Sequence, residues 1–135
     1  MTKSPNRVIG LIFGALYLAI GIVGFTATTG VGFFATNGGL LLGLFEVNLA
    51  HNLLHIVVGA ALFIAALVGA KISALANSAV GAAYLLLGIA GLFLVDSELN
   101  FLAINVADNV LHFASAAVLL AVGLGAMRPV PKPAA

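Results

Sequence analysis

Four long apolar stretches dominate the sequence, at residues 8–25, 47–68, 79–95 and 101–124. None of them contains proline, lysine or arginine, and none alternates polar and apolar residues as a strand would. A helix needs about 20 apolar residues to cross a bilayer, so four helices would use about 80 residues. The pattern therefore predicts an all-α membrane protein whose four transmembrane helices form a bundle.

The composition excludes the main alternatives. Charged residues make up 7% of the chain and hydrophobic residues 63%, whereas a soluble domain has about 25% charged and about 45–50% apolar residues. So few charges could not cover a water-facing surface, and scattered basic residues do not form a nucleic-acid patch. The chain has no cysteine, which excludes a disulfide framework and a thiolate ligand.

The charged residues indicate the orientation of the chain. The basic residues fall in the two tails and in the connection after the second stretch: Lys3, Arg7, Lys71, Arg128 and Lys132. The acidic residues fall at or near the other side of the membrane: Glu46, Asp96, Glu98 and Asp108. Because basic residues near span ends mark the cytoplasmic side, we expect a multi-pass protein of the plasma membrane with both termini in the cytoplasm.

These patterns also predict the domain organisation. Residues 1–7 form a cytoplasmic tail, residues 8–126 a single transmembrane domain, and residues 127–135 a proline-rich cytoplasmic tail. Asn77 and Ser78 precede the third stretch and are candidates to cap its helix. Residues 26–45 form the longest outer connection, and its apolar segment 40–45 either lies in the interface or extends the second helix.

The two halves of the chain resemble each other. Residues 14–24 match residues 81–91, with Tyr17 opposite Tyr84. Residues 48–55 match residues 105–112, with His55 opposite His112. Each half (8–70 and 75–126) holds two spans and so enters the membrane in the same direction, which predicts a parallel two-plus-two repeat about an axis along the membrane normal.

Two polar quartets follow the spacing i, i+3, i+4, i+7, which places each quartet on one helix face. They are Asn48, His51, Asn52 and His55 in the second span, and Asn105, Asp108, Asn109 and His112 in the fourth. Polar groups are costly in a bilayer and normally face the bundle interior. We therefore expect the two faces to meet, opening toward the outer side, with Tyr17 and Tyr84 at similar depth.

The stretch from Asn48 to His55, together with the four spans and the small size, resembles the bacterial family numbered 4383 among the domains of unknown function. The resemblance covers residues 7–126 and implies a small four-span membrane protein. It brings no assigned activity, cofactor or partner. The second half departs from the double-histidine pattern, because Asp108 stands where the first half has His51.

Three functions are compatible with the polar residues. In the first, the quartets form a structural hydrogen-bonded network, with His51 against Asp108, in a non-enzymatic accessory or interaction protein that needs no cofactor. In the second, a transition metal or a haem is bound; the candidate metal ligands are His51, His55, Asp108 and His112, and the candidate haem ligands are His55 and His112. The third is a proton, quinone or small-solute site or pathway. No Ser-His-Asp spacing, phosphate loop or HExxH motif points to an enzyme.

Glycines recur on one face of the first and third spans: Gly10, Gly14, Gly21, Gly81 and Gly88. Small residues let membrane helices approach closely. We expect this packing to lie within the bundle, with an oligomer seam as the alternative. The expected partners are the lipid bilayer and either a second copy of the chain or a larger membrane complex, with no nucleic acid.

Overall fold

The computed structural model describes residues 4–125, which form four helices and one short β-hairpin. In chain order the elements are α1 (Pro5–Gly24), β1 (Gly39–Leu41), β2 (Phe45–Val47), α2 (Leu49–Val68), α3 (Ala70–Leu94) and α4 (Val106–Gly125). All four helices are long and apolar enough to cross a membrane, which confirms the predicted all-α, four-span membrane fold. The proline-rich tail, Lys3, Arg128 and Lys132 lie outside the described residues.

The helices carry their small and polar residues inward and their large aliphatic residues outward. In α1 the buried residues are Asn6, Gly10, Gly14, Tyr17, Gly21 and Gly24, whereas Ile12 and Ile22 are 54% and 60% exposed. This distribution is the reverse of a soluble bundle. It suits lipid, because lipid tails solvate aliphatic side chains while close backbone packing favours small residues.

Two helix starts differ from the sequence-based expectation. Helix α1 begins at Pro5. Proline is tolerated in the first turn because the N–H that it lacks would have no partner within the helix. Helix α3 begins at Ala70, and Gly69 alone separates it from α2. The predicted cap at Asn77 and Ser78 was therefore wrong: both residues lie inside α3. The preceding residues are mostly good helix formers, so nothing delays the helix until residue 78.

The long connection between α1 and α2 contains the β-hairpin. Strands β1 and β2 pair antiparallel, with Leu41 opposite Phe45. The turn between them places Leu42 at φ 56° and Gly43 at φ 70°, a left-handed conformation that favours glycine. The apolar segment 40–45 thus belongs to a hairpin and does not extend α2.

The buried positions follow the repeat that the sequence predicts. Helix α1 packs mainly on α2, and α3 mainly on α4. The six buried residues of α1 all have buried counterparts 67 positions later (6 to 73), namely Ser73, Asn77, Gly81, Tyr84, Gly88 and Gly91. Most buried residues of α2 likewise recur 57 positions later in α4 (55 to 112). The two halves thus bury matching positions of their sequences.

Hydrogen bonds between distant segments fix the two ends of the bundle. At one end the Arg7 Nε donates to the carbonyl of Ala66 at 2.7 Å. At the other end the main-chain N–H of Glu46 donates to Asp108 at 3.1 Å. Within residues 4–125, basic and acidic side chains thus lie at opposite ends.

Candidate functional site

Three histidines meet inside the bundle. Helix α2 supplies His51 and His55, which are one turn apart, and α4 supplies His112. All three are buried, at 3%, 3% and 1% exposure. The His51 ring centroid lies 4.4 Å from that of His55 and 6.1 Å from that of His112. One ring nitrogen from each lies within 4.8 Å of the other two, and the chain has no other histidine.

The ring nitrogens of this cluster lack hydrogen bonds. Both nitrogens of His51, both of His55 and the Nδ1 of His112 find no partner among residues 4–125. The main-chain carbonyls of Glu46 and Leu102 approach the His51 ring, but neither completes a hydrogen bond of standard geometry. A buried polar group without a partner costs about 1–3 kcal/mol. As pure packing, the cluster is therefore an unfavourable arrangement.

Two tyrosines lie beside the histidines. Ring centroids are 5.2 Å apart for Tyr17 and His55, 5.2 Å for Tyr84 and His112, and 5.1 Å for the two tyrosines. The Tyr17 hydroxyl shares a 2.6 Å hydrogen bond with the hydroxyl of Ser115. The Tyr17 side chain approaches the buried Tyr84 hydroxyl, but the contact lacks standard hydrogen-bond geometry, and the hydroxyl has no other partner in the described part of the chain.

A cavity of about 250 Å³ adjoins the histidines. Its lining is mainly apolar, and the residues are His51, Leu54, His55, Val58, Ala83, Tyr84, Leu87, Leu102 and His112. Leu54 on α2 and Ala83 on α3 are exposed, so the cavity reaches the surface between these two helices. The polar network was expected to open toward the outer side, but at the histidines the opening is lateral.

A polar pocket of about 280 Å³ lies at the acidic end and is lined by Glu46, Asp96, Glu98, Asn105 and other residues of the connections. Ile104 lines this pocket, whereas Leu102 lines the cavity beside the histidines. Both side chains belong to one buried apolar cluster. This apolar cluster therefore borders both the polar pocket and the cavity beside the histidines.

Asp108 stands apart from the histidine cluster. Its Oδ2 accepts the main-chain N–H groups of Asn105 at 3.0 Å and of Glu46 at 3.1 Å. The Asn105 Oδ1 in turn accepts the N–H of Asp108 at 3.0 Å. This reciprocal pair is a capping box. The carboxylate therefore begins α4 and holds β2, and it does not join the group of metal-ligand atoms that the three histidines form.

The asparagines of the two quartets connect loops to helices. The Asn48 Oδ1 accepts the N–H of His51 at 2.9 Å, and its Nδ2 donates to the carbonyls of Ala35 and Phe101. Asn105 donates to the carbonyl of Leu44 at 2.8 Å. Two further members face α1 and α3: Asn52 donates to Thr28 at 3.3 Å, and Asn109 lies against Gly91.

A second buried polar cluster lies at the basic end and was missed in the sequence. The Asn77 Nδ2 donates to the Asn6 Oδ1 at 2.9 Å and to its carbonyl at 3.1 Å. The Ser73 hydroxyl donates to the same carbonyl at 2.7 Å, and Asn6 donates to the carbonyl of Val122. A signal for this cluster is present in the sequence, because Ser73 and Asn77 precede Gly81 at four-residue steps and so share a helix face with Gly81 and Tyr84.

The predicted packing glycines lie at close contacts inside the bundle. Gly10 faces α2 and Ser73 of α3; Gly14 and Gly21 face α2; Gly81 and Gly88 face α4. For Gly14, an added Cβ would meet Phe63 of α2 at 2.7 Å. For Gly81, it would meet Leu120 of α4, the counterpart of Phe63, at 2.9 Å. Small residues at these positions thus set the distance between the helices of each hairpin.

Comparison with known proteins gives one match. No curated protein and no solved structure matches the chain. The family model described as "Domain of unknown function (DUF4383)" matches residues 7–125, the family that the stretch from Asn48 to His55 resembles. The chain therefore belongs to the DUF4383 family.

Proposed function

We propose that this membrane protein binds a transition-metal ion through His51, His55 and His112. One observation carries the proposal: three buried imidazoles bring their ligand atoms within 4.8 Å of one another, and most of their nitrogens have no other partner among residues 4–125. A metal ion would satisfy nitrogens that otherwise remain buried and unpaired.

The geometry is close to that of a metal site. Histidine nitrogens bind zinc at about 2.0–2.1 Å, which in a tetrahedral site separates them by about 3.3 Å. The three nitrogens lie within 4.8 Å of one another, so metal binding would require them to move closer together, for example by rotation of the rings. Three neutral imidazoles suit zinc, copper, iron or nickel. A fourth coordination position would face the cavity, an arrangement typical of open metal sites rather than closed structural ones.

The size of the cavity favours a metal ion over a haem. Pockets for drug-sized ligands have volumes of about 300–1,000 Å³, and the space beside the histidines is about 250 Å³. A porphyrin would therefore require the helices to separate.

The structural-network and the ligand-binding interpretations apply to different residues. Asn48, Asn105 and Asp108 have hydrogen-bond partners in the connections and helix starts, which supports a structural network. The histidines lack such partners, which supports ligand binding. We thus infer that the asparagines and Asp108 position α2 and α4 and that the histidines hold the metal.

The same proposal covers the orientation of the protein in the membrane and its contacts with other proteins. We place the acidic end outside and the basic end in the cytoplasm, on the charge distribution across the spans. Because the glycine faces are used inside the bundle, any contact with a second copy or a larger membrane complex would use the exposed aliphatic faces.

Metal analysis of the purified protein tests this function. The protein in mild detergent is equilibrated with zinc, copper or iron, freed of excess metal, and analysed by mass spectrometry for metal per chain. We expect about one ion per chain, and a large loss in each of His51→Ala, His55→Ala and His112→Ala, because each removes one of three ligands.

Asp108→Asn is the matched control, because it changes the fourth candidate ligand and should leave the metal content unchanged. Gel filtration and circular dichroism of each variant confirm that it is folded. If the folded wild-type protein binds no metal, or if all three folded histidine variants retain it, the proposal is wrong.

A further inference from the structure

The two halves of the bundle differ beside the histidines. In one half the Tyr17 hydroxyl bonds to Ser115 at 2.6 Å. The matching positions in the other half hold Tyr84 and Val58 (17 to 84 and 115 to 58). Valine has no hydrogen-bonding group, and the Tyr84 hydroxyl, on a residue that is 5% exposed, has no partner among residues 4–125. The repeat thus leaves one buried hydroxyl available on the side of α2 and α3.

A second difference opens the same side. Ala83 lines the cavity on α3, and its counterpart on α1 is the much larger Leu16 (16 to 83). The cavity therefore has a small residue at its edge, where the other half of the bundle has a large one. Both differences favour a ligand between α2 and α3.

The lining defines the chemistry of that ligand. It contains no Lys, Arg, Asp or Glu, so the ligand is uncharged. The volume of about 250 Å³ is below that of pockets for drug-sized ligands, about 300–1,000 Å³, so the cavity fits a single ring. The Tyr84 and His112 rings lie nearly parallel, at an interplanar angle of 17°, and present a flat wall.

The polar atoms define where the ring is held. The Tyr84 hydroxyl and the ring nitrogens of His51 and His55 have no hydrogen-bond partner in the described residues, and their side chains line the cavity. A carbonyl or hydroxyl oxygen on the ring would accept hydrogen bonds from the Tyr84 hydroxyl and from the N–H of one imidazole. Because exposed Leu54 and Ala83 lie within apolar helices, the ligand would enter from the acyl-chain region of the bilayer.

We propose that the cavity between α2 and α3 binds the ring of an uncharged, lipid-soluble molecule that carries a carbonyl or hydroxyl oxygen, of the chemical class of the quinones. The ring oxygen faces Tyr84 and the histidines, and an apolar tail passes between Leu54 and Ala83 into the bilayer. This inference rests on the proposed function, since it treats the histidine cluster as a ligand site, and it adds a second ligand and its route of entry.

Photolabelling in lipid nanodiscs tests this inference. The probe is a photoreactive azido-benzoquinone with a short isoprenoid tail, and labelled peptides are mapped by mass spectrometry. We expect labels on the residues that line the cavity. Ala83→Leu should reduce labelling by about tenfold or more, because the added side chain occupies the entrance. Ala82→Leu, at an exposed neighbouring residue that does not line the cavity, should leave it unchanged.

Val58→Ser is a second variant that does not block the entrance. It places a hydroxyl where Ser115 stands in the other half, so it should satisfy Tyr84 and weaken labelling while the protein remains folded. Equal labelling of wild type, Ala83→Leu and Val58→Ser would overturn the inference.

Metal content, measured on the same samples, separates the two proposals. We expect it to be unchanged in Ala83→Leu, Ala82→Leu and Val58→Ser. Specific labelling of a wild-type protein that binds no metal would overturn the metal proposal and support the cavity. A protein that binds metal but shows no specific labelling would support the metal proposal and overturn the proposal about the cavity.

Discussion

The side-chain amide of Asn52 on α2 lies directly against Gly24 at the end of α1, so closely that a Cβ on Gly24 would overlap the amide. The other half repeats this relationship with Asn109 and Gly91. The asparagine at the third position of each quartet thus packs against the last buried glycine of the neighbouring helix.

Gly24→Ala and Gly91→Ala should each lower the free energy of unfolding by about 1–3 kcal/mol, because overpacking forces the helix or the amide to move. Unfolding in mixed detergent micelles measures the loss. Gly32→Ala is the control, since its Cβ would meet nothing closer than Ala35 at 3.6 Å. An equal effect of all three substitutions would contradict the close contact.

Asn6→Ala and Asn77→Ala should be energetically coupled, because Asn77 donates two hydrogen bonds to Asn6. Interhelical hydrogen bonds in membranes contribute about 0.6 kcal/mol on average and up to about 1.7. A double-mutant cycle of unfolding free energies measures the coupling. Asn6→Ala combined with Thr26→Ala, at the other end of the bundle, should be additive, and additivity of the Asn6 and Asn77 variants would refute the cluster.

Tyr17→Phe and Tyr84→Phe should differ in stability although the two residues occupy matching positions. Tyr17→Phe removes the hydrogen bond to Ser115 and should cost about 1 kcal/mol. Tyr84→Phe removes a hydroxyl that has no partner within the described chain, so the apo protein should be equally stable or more stable. Thermal unfolding of the apo variants compares them, and similar losses would mean that Tyr84 has a structural partner.

Asp108→Ala should destabilise the protein while leaving the metal site intact. It removes the acceptor of two main-chain N–H groups, those of Glu46 and Asn105, and loss of such a cap costs about 0.5–2 kcal/mol. Chemical unfolding gives the loss, and Glu98→Ala, at an exposed residue, is the control. An Asp108→Ala variant that is as stable as the wild type would show that the capping box does not stabilise the protein.

Much of the fold could be read from the sequence because the membrane imposes strong rules. Apolar length fixes the spans, and the cost of buried polar groups turns both quartets inward. The matches of Tyr17 with Tyr84 and of His55 with His112 already indicated that these rings lie at similar depth.

The remaining differences depend on local geometry that pattern alone does not settle. Asp108 could face His51 across the bundle or cap its own helix, and the spacing from Asn105 allowed both. The apolar stretch starts after Asn77 and so predicts a cap there, although the helix begins nine residues before that stretch (79 to 70). The lateral cavity depends on the small size of Ala83, which carries no signal without the three-dimensional neighbours.

X-ray absorption spectroscopy of the metal-loaded protein tests the central claim most directly, because it counts the ligands around the ion. The account predicts about three imidazole nitrogens at about 2.0–2.1 Å, with one further light atom. Since the chain has only three histidines, this result would place all of them on one ion. A first shell of oxygen atoms with one imidazole or none would contradict the account.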